Sequence, residues 1–365
     1  MPAPRPLLLV TAGLDLDGGG RALLGRLVAR SAAGYARARG LHFRVLALEG
    51  GNPLGPELAF EGCGGSRLAL GRALLAAQLG PRPVAVVFDL LGLARVQALL
   101  PRQLVGPSAI FLLGIEVWRP LSPLHQRALE RASLRVAISQ HTRERARPFL
   151  PDDSPVEVLH LALEERAPHG AVDLELLDRL GSGYLLTVGR MGASERYKGH
   201  DAMLAAMPAL LERQPRARWV VVGGGDDRPR LERRAGELGV AEQVSFTGFA
   251  NEATLAEVYR RAAAFVMLSR GEGFGLVYLE AMRAGLPCVA ATASAAEEIV
   301  RPSETGFIVD PDSPQAVAGA LAALLAEPAF ASRLGAAGRQ LYHQAFSRER
   351  FERGLASLLD RLVES

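Results

Sequence analysis

The chain has 365 residues, 49% hydrophobic and 22% charged, with a net charge of +3. That length suits two α/β domains, and the apolar content excludes a disordered chain. No apolar run reaches the roughly 18 residues of a membrane span, and Leu7–Val10 is too short for a signal-peptide core, so it reads as a buried first strand.

The charge is uneven. Residues 1–160 hold 19 Arg against 12 acidic residues, and the remainder holds 23 basic against 27 acidic. A basic first half suits an anionic acceptor or a peripheral contact with an anionic membrane; a solvated, inert face is the other reading. Cys63 and Cys288 lie far apart and outside any CxxC pattern, so no disulfide framework or zinc site is expected, and a reducing cytoplasm fits. Of the 42 basic residues, Lys198 is the one lysine. Where Arg has replaced Lys almost everywhere, a surviving lysine marks a place for a compact charge on a flexible stem.

In chain order, Leu7–Thr11 leads into Gly18, Gly19 and Gly20, and a helical pattern runs from about Arg21 to Ala38. Strand-like runs recur at Phe43–Ala47, Val84–Phe88, Ser108–Leu112 and Arg135–Ser139, with helical segments such as Ser66–Ala77 and Gly92–Leu99 between them. Short continuous apolar runs alternating with helices predict a parallel sheet covered on both faces. Turn clusters at 151–155 and 181–183 bracket a linker. Beyond it come strands at Tyr184–Val188, Trp219–Val222, Val244–Thr247, Ala264–Leu268 and Pro287–Ala291. Helices are expected at His200–Glu212, Arg228–Leu238, Ala253–Ala263, from about Phe274, and from Pro314 almost to the end. The pattern predicts two Rossmann-like, doubly wound α/β domains facing each other across a cleft. They are placed at 1–165 and 180–345, with a last helix at about 346–365 packing back on the first.

Chemistry concentrates in the second half. Gly271–Gly275 follows a strand and opens a helix, which offers the amides of Gly275 and Leu276 to an anion, with Gly273 and Phe274 also expected to bind the ligand. Glu272 and Glu280 are eight residues apart, roughly 12 Å if helical, whereas glycosidase carboxylates need about 5–9.5 Å. They suit two ends of one long ligand; a surface Glu and a capping Glu is the plainer reading. Arg190, just past a strand, and Lys198, just before a helix, suit a diphosphate at the carboxyl edge of a sheet. Gly18–Gly20 would let backbone approach a phosphate or sugar, or would simply form a turn. Asp15 and Asp17 have DxD spacing but sit in that first loop, and no metal-type Cys/His set, GxSxG or P-loop occurs, so no metal or cofactor is expected.

These residues match a known pattern. VGR at Val188–Arg190, Lys198-Gly199, VVVGGGD, VSFTG at Val244–Gly248, Glu272–Val289 with its E-x7-E, and Glu298–Pro311 stand in one order over roughly residues 184–312. This stretch resembles the retaining family 4 glycosyltransferases of the GT-B fold. The resemblance implies a nucleotide-diphosphate sugar, UDP- or GDP-linked, as substrate, and an acceptor that is a glycan, a lipid-linked sugar or a small molecule. It implies that Arg190 and Lys198 bind the diphosphate, with Glu272 on sugar hydroxyls and Glu280 on the ribose. Gly275 and Leu276 would give amides to phosphate, Val244 would lie against the base, and Gly18–Gly20 would lie near the sugar. It also implies retention of anomeric configuration, no metal, and a leaving phosphate that takes the acceptor proton. GIEVWRP at Gly114–Pro120 looks like a family segment of the acceptor-side domain, but Leu113 and Leu90 stand where relatives often carry His. Glu116 is a substitute candidate. Two other readings remain: a transferase-like binding protein without turnover, and a dinucleotide oxidoreductase, although no clean GxGxxG is present.

Overall fold

A computed structural model describes residues 5–16, 19–151, 155–165 and 168–364. Its contacts divide the chain into two units, one of residues 1–164 and 348–365 and one of residues 165–347.

The first unit is built on seven parallel strands: β1 (Pro6–Thr11), β2 (His42–Ala47), β3 (Ala59–Gly62), β4 (Ala85–Phe88), β5 (Ser108–Leu112), β6 (Leu134–Ala137) and β7 (Val156–Val158). Their order is β3-β2-β1-β4-β5-β6-β7. The central strands are apolar without alternation because helices cover both faces; Leu7 to Val10 and Ile110 to Leu112 are fully buried. β3 and β7, which the sequence patterns do not reveal, are short edge strands that are only partly buried. The first helix starts at Gly19, two residues earlier than its apolar period suggests. The last helix, Arg348–Val363, turns Phe351, Leu355, Leu358, Leu359 and Leu362 inward, one face of a 3.6-residue period. It packs against the helix Gly19–Ala38, where Tyr35 donates to Asp360 at 2.9 Å.

The second unit has six parallel strands: β8 (Leu185–Val188), β9 (Trp219–Val222), β10 (Val244–Gly248), β11 (Ala264–Met267), β12 (Cys288–Ala291) and β13 (Gly306–Val309). They are ordered β10-β9-β8-β11-β12-β13. Here too the central strands β8, β9, β11 and β12 are buried nearly throughout, while the edge strands β10 and β13 are partly exposed. Trp219 is fully enclosed, and its indole N–H donates to the Thr187 hydroxyl at 2.9 Å, which in turn donates to the Val266 carbonyl at 2.5 Å. That relay satisfies the Trp219 indole and the Thr187 hydroxyl and ties β9, β8 and β11 together. The expected linker region holds more structure than its turn residues suggest: β7 and the helix Leu174–Leu180, capped by Asp173, lie within it.

In each sheet the chain first builds outward on one side of a central strand and then on the other. The order therefore reverses between β1 and β4 in the first unit and between β8 and β11 in the second. Loops leaving the carboxyl ends of two such strands diverge and leave a crevice between them.

Candidate active site at the switch point of the second sheet

Two loops emerge at the β8/β11 switch point. The first runs from Gly189 through the short 3-10 helix Ala193–Lys198 to Gly199. Gly199 is held at φ +83°, and a Cβ there would lie 2.3 Å from the Leu268 carbonyl oxygen. Only glycine allows the helix His200–Arg213 to begin so close to the end of β11. The second loop, Leu268–Gly275, presses back on the first: Arg270 N–H donates to the Tyr197 carbonyl at 3.0 Å. A side chain on Gly271 would meet the Tyr197 ring at 2.3 Å.

This packing brings Lys198 and Glu272 into contact. The Lys198 Nζ lies 2.6 Å from Glu272 Oε1, and their side chains are 13% and 22% exposed. Ser269 Oγ lies 3.5 Å from the same carboxylate oxygen. Around the pair, Arg190 forms an ion pair with Glu195 at 2.7 Å while remaining 77% exposed. Tyr197 OH lies 3.5 Å from Glu195, and its ring is 5.5 Å from the Lys198 ammonium. Burial, with Glu272 and Glu195 adding, pushes the Tyr197 phenol up to about 12. His200 opens the following helix; burial, with Lys198 beside it, lowers its imidazole to about 4, so it is neutral at pH 7. Arg190 and Lys198 are each held by a carboxylate that a stronger anion could displace.

Glu272 stands in the turn and not on the helix, so the eight-residue helical estimate of its distance from Glu280 does not hold. The helix Leu276–Ala284 begins only after Gly275, whose φ of +104° sets it as the cap. Tyr278 OH donates to the Met267 carbonyl at 2.5 Å and fixes that first turn to β11. Glu280, one turn on, is partly buried and accepts a hydrogen bond from Tyr259 OH at 2.7 Å. Its pKa is raised, chiefly by burial.

Other expected residues are placed differently. Val244 opens β10 opposite Trp219, is 8% exposed and belongs to the core of the second unit. It lies at the amino end of its strand, away from the carboxyl edge of the sheet where the other expected residues stand. At the carboxyl end stands Gly248, followed by Phe249, 79% exposed, which the sequence patterns did not single out. Gly223 and Gly225 have a packing reason, since side chains there would lie 2.1 and 1.9 Å from the carbonyl oxygens of Gly189 and Met191. Glu195, Tyr197 and Ser269 were also missed. The first two lie between Arg190 and Lys198, but only the fold shows Glu195 paired with Arg190 and the Tyr197 ring beside Lys198.

In the first unit, Gly19 and Gly20 are the exposed first residues of a helix, and Gly18 lies outside the described residues, as does Asp17. Asp15 accepts from the Gly51 amide at 3.1 Å. No group of three or more His, Cys, Asp or Glu able to hold a metal occurs among the described residues. At the β1/β4 switch point, Thr11 donates to Asp89, whose other oxygen accepts from the Ala12 amide at 3.2 Å. Burial pushes Asp89 up to about 7. Glu116 folds back to accept the Leu113 amide at 2.5 Å, and burial raises its pKa.

Residues 178–341 match the family described as glycosyl transferases group 1. The GDP-mannose-dependent alpha-(1-6)-phosphatidylinositol monomannoside mannosyltransferase of Mycobacterium tuberculosis is 33% identical over 263 residues, 68% of this chain and 68% of that protein. Its counterpart in Mycolicibacterium smegmatis is 33% identical over 239 residues, 62% of this chain and 63% of that protein. Among solved structures, sucrose-phosphate synthase from Thermosynechococcus elongatus superposes with a TM-score of 0.79 at 21% identity, covering 98% of this chain and 99% of that one. Anabaena Alr3699/HepE in complex with UDP-glucose superposes at 0.76 and 19% identity, covering 98% and 100%. With two parallel α/β sheets of this topology and an identity of one third to mannosyltransferases over two thirds of their length, the chain belongs to the group 1 glycosyltransferases and has the GT-B fold.

Proposed function

We propose that the protein moves a sugar from a nucleoside diphosphate sugar to an acceptor with retention of anomeric configuration, and that the donor diphosphate sits at the β8/β11 switch point. The contact between Lys198 and Glu272 carries this reading. A diphosphate outcompetes a carboxylate for an ammonium, so donor binding transfers Lys198, with Arg190, to the phosphates. It leaves Glu272 free to accept hydrogen bonds from sugar hydroxyls. Amides from Gly273 to Leu276 cap the phosphates at the helix start. Glu280, fixed by Tyr259, receives the ribose hydroxyls, and exposed Phe249 replaces Val244 as the surface for the base.

In the transfer, the bond from the anomeric carbon to the phosphate oxygen breaks, and the acceptor oxygen bonds to that carbon on the same face. The acceptor proton passes to the departing phosphate, whose growing charge Lys198 and Arg190 stabilise. The site needs no metal in this reading, because the two cations supply the charge. The acceptor in this reading is a glycan, a lipid-linked sugar or a small molecule.

The non-catalytic reading draws on Leu90 and Leu113 and on Glu116, whose carboxyl is turned onto backbone. Thermal-shift screening with UDP, GDP, ADP and NAD tests the proposal, since a ligand selective for the folded chain raises its melting temperature. Stabilisation by UDP or GDP that is lost in Lys198→Ala supports it; a response to NAD alone overturns it. Binding of a donor sugar without release of nucleoside diphosphate, restored by Leu113→His, favours the non-catalytic reading.

A further inference from the structure

The last turn of the helix Glu252–Arg261 is pinned to the second sheet. Tyr184, just ahead of β8, donates from its hydroxyl to the Val258 carbonyl at 2.8 Å. The next residue, Tyr259, is 4% exposed. Its ring lies 6.1 Å from that of Phe265 on β11, and Phe265 meets the Tyr278 ring edge-on at 5.4 Å. Tyr278 is bonded in turn to the Met267 carbonyl. Three rings thus tie the helix Glu252–Arg261, β11 and the helix Leu276–Ala284 into one packed block.

Packing accounts for the Tyr259 ring but not for its hydroxyl. A buried hydroxyl needs a partner, and this one reaches across to the neighbouring helix, where it donates to Glu280 Oε2 at 2.7 Å. Burial, with Glu280 adding, raises the phenol well above its ordinary value, so it stays a donor at any working pH. The other carboxylate oxygen, Oε1, accepts no hydrogen bond among the described residues and is not one of their enclosed, unpaired atoms. It opens to solvent one turn beyond the amides of Gly275 and Leu276, about 6 Å along the helix axis. A carboxylate with one oxygen tied down and one open is an acceptor of fixed direction.

We propose that Tyr259 is a positioning residue that makes the donor site select a ribonucleotide: by holding Oε2 of Glu280 it points Oε1 at the vicinal ribose hydroxyls, and a 2′-deoxynucleotide leaves that oxygen short of a partner. The inference rests on the nucleoside diphosphate placed above, and adds to it the residue that directs Glu280 and the class of nucleotide that is refused. A hydrogen bond to a charged group contributes roughly tenfold to a hundredfold in affinity. A site that dedicates an acceptor to a hydroxyl rejects the analogue lacking it, because the acceptor is then unpaired. A tyrosine that only fills the core would affect stability without telling one sugar from the other. Glu280 is faced by Tyr259 and Glu252 of one helix and by Arg283 of its own. Burial above all, with Glu252, raises its carboxyl, while the Tyr259 hydrogen bond and Arg283 lower it. Loss of the tyrosine hydroxyl therefore raises the pH at which Glu280 takes up a proton and loses its charge.

Titration calorimetry compares UDP and GDP with 2′-deoxyuridine and 2′-deoxyguanosine 5′-diphosphates on the parent, Tyr259→Phe and Glu280→Gln. The parent should bind its better ribonucleotide at least about tenfold more tightly than the deoxy form. Tyr259→Phe should weaken the ribonucleotide more than the deoxynucleotide, narrowing the gap to about threefold or less, and what selectivity remains should fade at a higher pH than in the parent. Glu280→Gln should narrow the gap as well, and adding Tyr259→Phe to it should change little, because the two side chains act as one unit. Urea denaturation shows whether Tyr259→Phe is folded. If it is not, Glu280→Asp, which draws the carboxylate one methylene back from Tyr259, takes its place and must show the same loss. Equal binding of ribonucleotide and deoxynucleotide by the parent overturns the proposal while leaving the diphosphate at the switch point. Full selectivity in the variant, or equal weakening of both nucleotides, overturns it and leaves Glu280 to act unaided. A parent that binds neither UDP nor GDP removes the donor reading itself, and this proposal with it.

Discussion

At the residue scale, the same physics makes Lys198 and Asp89 sensitive positions with opposite chemical consequences. Lys198 is paired with Glu272 at 2.6 Å, and its stem lies 3.7 Å from where a Cβ on Gly189 would stand. Loss of a cation facing developing phosphate charge costs about 10²–10³ in kcat. Lys198→Ala should show that loss in steady-state kinetics, with a change in folding stability of no more than about 1 kcal/mol because the pair is partly solvated. Lys198→Arg should also be impaired, since the planar fork does not fit where the ammonium sits; full activity in that variant would remove the argument from the single lysine. Asp89 is a different case. Its pKa of about 7 in the fold exceeds the 3.8 of an open chain. Between those values the folded chain keeps a proton that the unfolded chain releases. Its contribution to stability is thus complete below pH 3.8 and is lost as pH rises through about 7. Asp89→Asn removes that titration. Urea midpoints of parent and variant should converge in acid and separate in the variant's favour toward neutral pH, by on the order of a few kcal/mol. Parallel curves would show that folding leaves the Asp89 pKa unshifted.

At the element scale, the site is made by loops whose backbones touch. Gly199 has a positive φ and no room for a Cβ against Leu268, so Gly199→Ala both strains the backbone and pushes the helix His200–Arg213 off β11. A cost of about 1–3 kcal/mol is expected, together with weaker nucleoside diphosphate binding, because Lys198 precedes that glycine. Gly34, exposed in the first helix with nothing within 4 Å of its missing Cβ, is the control. Gly34→Ala should be neutral or stabilising by up to about 1 kcal/mol. Chemical denaturation of both variants, with calorimetric titration of UDP or GDP, measures the contrast. These glycines were visible in the sequence, but their reason was not. In the triplet at 223–225, Gly223 and Gly225 let two loops pack carbonyl against Cα.

At the scale of the whole molecule, the first unit is closed by the end of the chain. Phe351, Leu355, Leu358, Leu359 and Leu362 complete the core beside the helix Gly19–Ala38. Deleting residues 348–365 should uncover that apolar surface and lower the melting temperature of the first unit, with aggregation. In scanning calorimetry the second unit should still melt cooperatively and still be raised by nucleoside diphosphate. If both transitions vanish together, the two units do not fold independently.

The sequence by itself determined the two parallel sheets, because buried strands must be apolar throughout and the helices between them carry a 3.6-residue period. It also pointed to Arg190, Lys198, Glu272 and Glu280, which the motif spacing ties to the carboxyl ends of strands. Edge strands such as β3 and β7 escaped because partly exposed tripeptides and tetrapeptides carry no distinctive period. Only the tertiary structure decided that Lys198 meets Glu272, that Val244 faces the core while Phe249 faces out, and that Asp89 lies beneath the first loop. Each of these depends on strand register and on the order of strands across the sheet, which bring together residues about 75 positions apart and leave no trace in local sequence.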